Sequence, residues 1–300
     1  MSMEKFRVGL SADFRKPDGS AAFPSFDLSP LEDEPQIDWS YVPVTDGRIA
    51  ASDMAGFDAL ILLGARFDAD SFPDDDRLCL IARFGVGFDT VDVAACNENN
   101  VALVTTPSGV RRPVAVAILT LILALAGRLI TKDRLTRQGP EGWAQVSNHM
   151  GQGLIGLTLG SIGIGNIGAE MFEIIKPLSM NYIAHDPFAD PDVAKRLGVE
   201  LVSLEEVFKR SDYLCVNCPL TDETHGIVDA AHLALMKPSA YLINTARGPI
   251  VDQAALTQAL SEGQIAGAGL DVFEQEPSSA DDPIFQLDNV ITTPHSLCWT

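Results

Sequence analysis

The stretch Leu157–Lys176, LTLGSIGIGNIGAEMFEIIK, decides the fold of this 300-residue chain. Leu157–Ile162 is an apolar run typical of a buried strand, and Ile167–Lys176 has the apolar spacing of a helix. The turn between them, Gly163-Ile164-Gly165-Asn166-Ile167-Gly168, spells GxGxxG. Its glycines serve a tight turn, close approach of a pyrophosphate to the backbone, and packing of helix on strand. The sequence therefore predicts a dinucleotide-binding βα turn.

The residues around this turn specify the dinucleotide. We expect phosphates at the free N–H groups of the helix N-terminus, contacted by residues 163, 165, 166, 167 and 168. Asp186 ends the next predicted strand, 18 residues after Gly168. A carboxylate there accepts hydrogen bonds from the adenosine ribose and repels a 2′-phosphate. These features favour NAD over NADP.

Outward from the turn, strands and helices alternate, which predicts α/β architecture with parallel, doubly wound sheets. We expect a smaller first domain and a larger Rossmann domain, with a hinge at Thr105–Gly109 before an apolar helix at Val114–Ala126. The segment Lys16–Pro35 is read as a surface loop without an assigned role. The predicted strands are Arg7–Leu10, Asp38–Val44, Ala59–Leu63, Leu78–Arg83, Val101–Thr105, Leu157–Ile162, Asn181–His185, Tyr213–Cys218, Ala240–Asn244, Ile265–Leu270 and Val290–Thr292. Ser203 and Asp252 are predicted to open two of the intervening helices.

Composition excludes several classes of protein. Hydrophobic residues make up 46% and charged residues 21%, as in folded globular chains. A formal charge of −20 opposes binding to nucleic acid or an anionic membrane. The apolar run Val114–Ala126 is shorter than a bilayer span. Five scattered cysteines indicate a reducing compartment, so we expect a cytoplasmic protein without a metal site.

Three segments follow later strands, at the edge where open α/β sheets bind ligands. They are Asn244–Gly248, Asp271–Pro277 and Thr293–Ser296, and together they carry a guanidinium, carboxylates and an imidazole. Reduction of a keto acid needs a forked donor for its oxygens and a proton donor that titrates near neutrality. Arginine and histidine meet these needs, and a nearby carboxylate would orient the imidazole.

These motifs resemble the D-isomer-specific 2-hydroxyacid dehydrogenase family over nearly the whole chain. The resemblance also rests on Arg83–Asp89 (RFGVGFD), Thr106-Pro107 and Cys218–Thr221 (CPLT). It implies an oxidoreductase that passes a hydride between NAD(H) and a small D-2-hydroxy or 2-keto acid. It further implies a substrate-binding domain at 1–106 and an NAD-binding domain at 107–294. Residues 295–300 would begin a return segment that continues beyond 300.

The resemblance also implies site residues. Arg247 would bind the substrate carboxylate and carbonyl, His295 would be the general acid and base, and Glu276 would pair with His295. Backbone amides at Val86 and Gly87 would hold the substrate carboxylate, and Asp271 would orient the nicotinamide carboxamide. The remaining cofactor contacts would come from Cys218, Pro219, Thr245 and Ala246. A homodimer joined through the cofactor domains is expected from the same source.

The sequence departs from the family pattern before and within the expected apolar helix. The family usually has Glu where Val116 follows Val114-Ala115. Arg111 and Arg112 precede Pro113 at the expected helix N-terminus, where cations oppose the macrodipole. One of these arginines, or Arg66, is a candidate reader of an anionic substrate tail or of the cofactor.

The substrate itself stays open at this point. Phosphoglycerate, glycerate or hydroxypyruvate, and glyoxylate remain candidates, and phosphite dehydrogenase-like activity is an alternative. A formate dehydrogenase relative would carry Gln in place of Glu276. An alternative from a different functional class is an NAD-sensing corepressor-like binding protein. Such relatives retain residues equivalent to Arg247, Glu276 and His295.

Overall fold

The computed structural model describes residues 4–23 and 25–299. The chain divides into two compact units, Met1–Gly109 and Val110–Thr300. Each unit contains one parallel sheet covered on both faces by apolar side chains. The prediction of two doubly wound parallel-sheet α/β domains is confirmed.

The first unit contains a five-stranded sheet with strand order β2-β1-β3-β4-β5. Its elements are β1 Phe6–Ser11, α1 Ser29–Glu32, β2 Ile37–Val42, α2 Ala51–Met54, β3 Ala59–Leu62, β4 Leu80–Arg83, α3 Val93–Glu98 and β5 Ala102–Thr105. Leu60, Leu62 and Ile81 lie in its core with no exposed surface. Because all pairs are parallel, the loops that follow these strands share one edge of the sheet.

The second unit contains a seven-stranded sheet with order β12-β11-β10-β9-β6-β7-β8. Its elements are α4 Pro107–Gly127, which begins at the end of the first unit, α5 Leu129–Arg137, α6 Pro140–Trp143, β6 Thr158–Ile162, α7 Asn166–Ile175, β7 Asn181–His185, α8 Pro191–Leu197, β8 Val199–Leu201, α9 Leu204–Arg210, β9 Tyr213–Val216, α10 Ala230–Leu233, β10 Tyr241–Asn244, α11 Gln253–Ser261, β11 Gly267–Leu270 and β12 Val290–Thr292. The strand order reverses beside β6, and a ligand crevice is expected at such a switch point.

Most predicted elements are present, with shifted ends. β9 stops at Val216, two residues before the predicted end at Cys218, because the apolar run outlasts the paired part of the strand. The predicted helix starts are confirmed by their caps. Ser203 Oγ accepts from Glu206 N–H at 3.3 Å and Asp252 Oδ1 from Ala255 N–H at 2.9 Å.

The predicted bounds of the long apolar helix are wrong. α4 starts at Pro107 and not at Val114, so residues 107–109 of the predicted hinge are helical. Proline suits the first position of a helix, where its missing N–H costs nothing. Arg111 and Arg112 consequently lie in the second turn, and the argument from an opposing macrodipole does not apply to them.

By length and composition, this 21-residue helix could cross a bilayer. Its buried side chains instead pack within the second unit. Leu121 and Leu125 approach Gly269 of β11 so closely that a Cβ there would lie 3.1 to 3.3 Å from them. A buried core helix can be equally long and apolar, and the contacts of α4 are those of a core helix.

Candidate active site

The glycine turn has three positions with different physical demands. Gly163 has φ +96°, and a Cβ there would lie 2.8 Å from the Asn217–Cys218 peptide. A Cβ at Gly168 would lie 2.7 Å from the carbonyl oxygen of Gly163. Both glycines are therefore required by the fold. A Cβ at Gly165 would meet no atom within 4 Å, so the space beside this residue is open to a ligand.

Asp186 directly follows β7, and its carboxylate is hydrogen-bonded to the glycine turn. Its Oδ2 accepts from Ile164 N–H and its Oδ1 from Phe188 N–H, both at 2.9 Å. These contacts fix the carboxylate beside the N-terminus of α7. Each oxygen keeps a second lone pair, so the group can still accept from a ribose hydroxyl.

A cavity of about 470 Å³ lies beside the turn, within the second unit. Gly165, Asn166, Asp186, Phe188, Arg111 and Arg196 are among its lining residues. Phe188, 94% exposed, and Arg196 were not singled out by the sequence analysis. An open glycine, the N-terminus of α7 and a fixed acidic group suit a nucleotide diphosphate with a free ribose. The residues present thus fit NAD.

Both arginines of α4 reach α7. Arg111 Nε lies 3.3 Å from Glu170 Oε2, and Arg112 Nε lies 2.6 Å from Glu170 Oε1. The side chain of Glu170 is only 13% exposed, so this carboxylate is shared by two cations. Arg111 also lines the cavity, whereas Arg66 belongs to the first unit and lies 3.9 Å from Asp68.

The loops after β10 and β11 are packed against each other. A Cβ at Gly248 would lie 1.9 Å from the carbonyl group of Phe273, so only glycine permits this approach. The buried Asn244 side chain donates to the Arg247 carbonyl oxygen at 2.9 Å and accepts from Ala246 N–H at 3.0 Å. Half-buried Arg247 is thereby held in a fixed loop close to the Asp271–Pro277 segment.

Glu276 and His295 are hydrogen-bonded, at 2.7 Å between Oε2 and Nδ1. The other oxygen of Glu276 accepts from Phe273 N–H at 2.9 Å. Partial burial opposes ionisation of Glu276, but these two hydrogen bonds and the charges of His295 and Arg247 together lower its pKa. Glu276 is thus a carboxylate that holds the His295 ring through Nδ1, leaving Nε2 available.

Asp271 holds the turn that carries His295. This carboxylate is 3% exposed, and its Oδ1 accepts from Thr293 Oγ1 at 2.6 Å, from Ser296 N–H at 3.0 Å and from Leu297 N–H at 3.2 Å. His295 has φ +50° within this turn. Sequence reasoning assigned Asp271 only to the nicotinamide and did not find these contacts, because they join segments more than 20 residues apart.

The other predicted cofactor positions lie at neighbouring strand ends. Cys218 and Pro219 follow β9, and burial raises the pKa of the Cys218 thiol to about 11, so this thiol is protonated at neutral pH. Thr245 follows β10, and its buried hydroxyl has no hydrogen-bond partner within residues 4–23 and 25–299. An unpaired buried hydroxyl at this edge suits a ligand that carries a donor or acceptor.

Val86 and Gly87 follow β4 in the first unit. Hydrogen bonds between Gly85 and Thr106 anchor the preceding residue, with Gly85 N–H to Thr106 Oγ1 at 2.8 Å. Among the described residues, the N–H groups of Val86 and Gly87 have no partner. Adjacent free amides in a loop of this kind can bind an anion.

Comparison with known proteins places this arrangement in a family. Residues 119–296 match the model of the D-isomer-specific 2-hydroxyacid dehydrogenase NAD-binding domain. The chain belongs to the D-isomer-specific 2-hydroxyacid dehydrogenases. It is accordingly an NAD-dependent oxidoreductase of 2-hydroxy and 2-keto acids.

Individual relatives agree with this membership. A glyoxylate reductase of Korarchaeum cryptofilum is 37% identical over 279 residues, covering 91% of this chain and 83% of the relative. A D-3-phosphoglycerate dehydrogenase of Archaeoglobus fulgidus is 38% identical over 230 residues, covering 77% of this chain and 43% of the relative. Among solved structures, the Aquifex aeolicus D-lactate dehydrogenase complexed with NAD and lactic acid has a TM-score of 0.81 and 28% identity, covering 98% and 89% of the two chains.

Proposed function

We propose that Arg247, Glu276 and His295 carry the chemistry of this dehydrogenase. The observation that supports this assignment is the 2.7 Å hydrogen bond between Glu276 Oε2 and His295 Nδ1. A carboxylate at Nδ1 fixes the ring and stabilises the imidazolium, so that Nε2 can donate a proton. Glu274 has a different environment, since its N–H donates to Gln253 Oε1 at 3.0 Å and its side chain is exposed.

In the direction of reduction, the keto acid gains a hydride at its 2-carbon and a proton at its carbonyl oxygen. Bound NADH supplies the hydride. His295 Nε2 donates the proton, and Glu276 stabilises the charged imidazole before transfer. The Arg247 guanidinium binds the carboxylate and the carbonyl oxygen with forked N–H donors. In the direction of oxidation, neutral His295 accepts the hydroxyl proton.

The cofactor is assigned to the glycine turn and the neighbouring strand ends. Gly163, Gly165, Asn166, Ile167 and Gly168 would receive the pyrophosphate. Asp186 would receive the ribose and disfavour a 2′-phosphate by charge repulsion. Cys218, Pro219, Thr245, Ala246 and Asp271 would complete the contacts to the rest of NAD.

The N–H groups of Val86 and Gly87, in the first unit, are assigned to the substrate carboxylate. Residues 1–106 would then be the substrate-binding domain, 107–294 the NAD-binding domain, and 295–300 the start of a return to the first. The names of the relatives make glyoxylate and 3-phosphoglycerate the first substrates to test. Hydroxypyruvate and glycerate follow from the resemblance of the sequence motifs to the family.

A homodimer in the cytoplasm completes the proposal. The second unit exposes apolar side chains along α4, α5 and α6, including Val116 at 44%, Leu123 at 46%, Leu129 at 59% and Trp143 at 67%. A second copy of the chain would remove these side chains from water. Light scattering should then give twice the mass of one chain.

Turnover of 2-keto acids with NADH, followed by nicotinamide absorbance, tests the function. His295→Asn should lower kcat by about 100- to 10,000-fold, which is the usual contribution of a general acid. NADH binding, measured by fluorescence, should change little. The control is His225→Asn, which alters an exposed histidine. Turnover of no 2-keto acid, or equal kcat in both variants, would contradict the assignment.

A further inference from the structure

Four phenylalanine rings form a cluster at the carboxyl edge of the first unit's sheet. Phe14 stacks on Phe26 with centroids 4.9 Å apart. Phe84 meets Phe14, Phe26 and Phe23 at 5.4, 5.5 and 5.7 Å. We call these four residues the aromatic cluster. Phe23 and Phe26 belong to the segment Lys16–Pro35, to which the sequence analysis gave no role.

The cluster adjoins the proposed substrate loop. Phe84 comes two residues before Val86 and is 39% exposed, and Phe88, one residue after Gly87, is 45% exposed. Phe84 N–H donates to Leu62 O at 2.8 Å, which fixes this ring's backbone at the sheet edge. Two exposed phenylalanines therefore flank Val86 and Gly87 in the sequence of this loop.

The same edge offers little to a second anionic group. Asp13, in the loop after β1, directs Oδ2 to the N–H groups of Gly64 and Ala65, at 2.8 and 2.9 Å. These amides, in the loop after β3, already bind an internal carboxylate. An incoming phosphate would lack them as donors and would be repelled by Asp13.

Each of the three arginines that end or follow strands β1, β3 and β4 already has an internal partner. The Arg15 guanidinium lies 3.8 Å over the Tyr41 ring. Arg83 Nη1 donates to the carbonyl oxygen of Phe84. Arg66 lies 3.9 Å from the carboxylate of Asp68. An apolar group fits beside the aromatic cluster better than a phosphate does.

We propose that the exposed face of Phe84, backed by Phe14, Phe23 and Phe26, is the subsite for the substrate side chain. It selects 2-keto acids whose 3-carbon carries an aryl or alkyl group over those that carry a phosphate. This inference rests on the proposed function, because it places the substrate carboxylate at Val86 and Gly87. An aryl ring would pack on Phe84 in an offset or edge-to-face arrangement.

The test measures kcat/KM with NADH for phenylpyruvate, pyruvate, glyoxylate and phosphohydroxypyruvate. Phenylpyruvate and pyruvate differ only by the phenyl group, so their ratio isolates the subsite. We expect phenylpyruvate to exceed pyruvate and phosphohydroxypyruvate by at least about tenfold, within the range that apolar pockets give. The difference should lie mainly in KM.

Phe84→Ala should lower the phenylpyruvate to pyruvate ratio at least about tenfold, and Phe84→Leu should restore part of it. The matched control is Phe6→Ala, because Phe6 is 42% exposed and lies at the opposite edge of the same sheet. Its ratio should equal that of the unmodified protein. Thermal unfolding of each variant confirms that the compared proteins are folded.

Two results would overturn the subsite. One is turnover of phosphohydroxypyruvate with a higher kcat/KM than phenylpyruvate. The other is an unchanged ratio in Phe84→Ala while glyoxylate is reduced. Absence of turnover with all four acids, glyoxylate included, would instead overturn the proposed function and remove the basis of the subsite.

Discussion

The carboxyl edges of the two sheets are built differently. In the second unit, Asp186, Asp271 and Glu276 each accept a hydrogen bond from a backbone N–H. These bonds, with that between Glu276 and His295, fix the glycine turn and the turn that carries His295. In the first unit, Asp13 fixes one loop in the same way. The loop after β4 has two amides without a partner in the part of the chain that the structure describes, and it exposes two phenyl rings. Carboxylates thus fix the loops at the carboxyl edge of the second sheet, where the proposed catalytic residues lie. The loop after β4 is fixed less fully by internal hydrogen bonds.

The largest effect on stability should come from Gly163→Ala. The φ of +96° and the approach of a Cβ to the Asn217–Cys218 peptide should together cost about 2–5 kcal/mol. Thermal unfolding measures the loss. Gly165→Ala is the matched control, because its Cβ meets nothing within 4 Å. This variant should keep its Tm and raise the KM for NADH about tenfold or more. Equal Tm losses in both variants would contradict the division of roles.

The second-largest effect should come from Asp271→Asn, which weakens the turn that carries His295. The neutral amide can keep one oxygen as acceptor for Thr293, Ser296 and Leu297, but it loses the negative charge that strengthens these hydrogen bonds. Hydrogen bonds to charged groups contribute about 1.5–3 kcal/mol, so kcat should fall about 10- to 100-fold. An altered pH profile of kcat would show that His295 is mispositioned, which a merely structural loss would not produce. Asp288→Asn, at a 91% exposed side chain, is the control.

Asp13→Ala should convert the loop after β3 of the first unit into a site with free amides. Gly64 and Ala65 lose their acceptor, which should cost about 1–3 kcal/mol of unfolding free energy. Inorganic phosphate should then raise the Tm of the variant more than that of the unmodified protein. Asp18→Ala, in an exposed turn with Ser20, should show neither effect. Equal phosphate responses would contradict the role of Asp13.

The smallest effect concerns the acid stability of the Glu276–His295 pair. Because folding lowers the pKa of Glu276, its contribution is complete above the ordinary glutamate pKa and disappears as pH falls through the lowered value. Glu276→Gln should therefore reduce the Tm by about 2 °C near pH 6, with the difference vanishing toward pH 3. Glu274→Gln, at an exposed neighbour, should not change this profile. A difference that grows on acidification would contradict the sign.

Much of this site was predictable because its signals are local. The GxGxxG turn, the acidic residue after the next strand and the strand-end motifs each occupy a few consecutive residues. The ends of α4 were not predictable in this way. Pro107 and Pro113 both resemble helix boundaries in sequence, yet only the first one starts the helix. Packing of Leu121 and Leu125 on β11 supports a helix that local preference would divide.

The sequence by itself determined the class of each domain and the chemical groups available, since periodicity and glycine positions act through the local backbone. Only the tertiary structure decided how Asp271 holds its turn and that Phe23 and Phe26 lie against Phe84. Those contacts join residues far apart in the chain. They depend on strand order and side-chain packing, which no short stretch of sequence encodes.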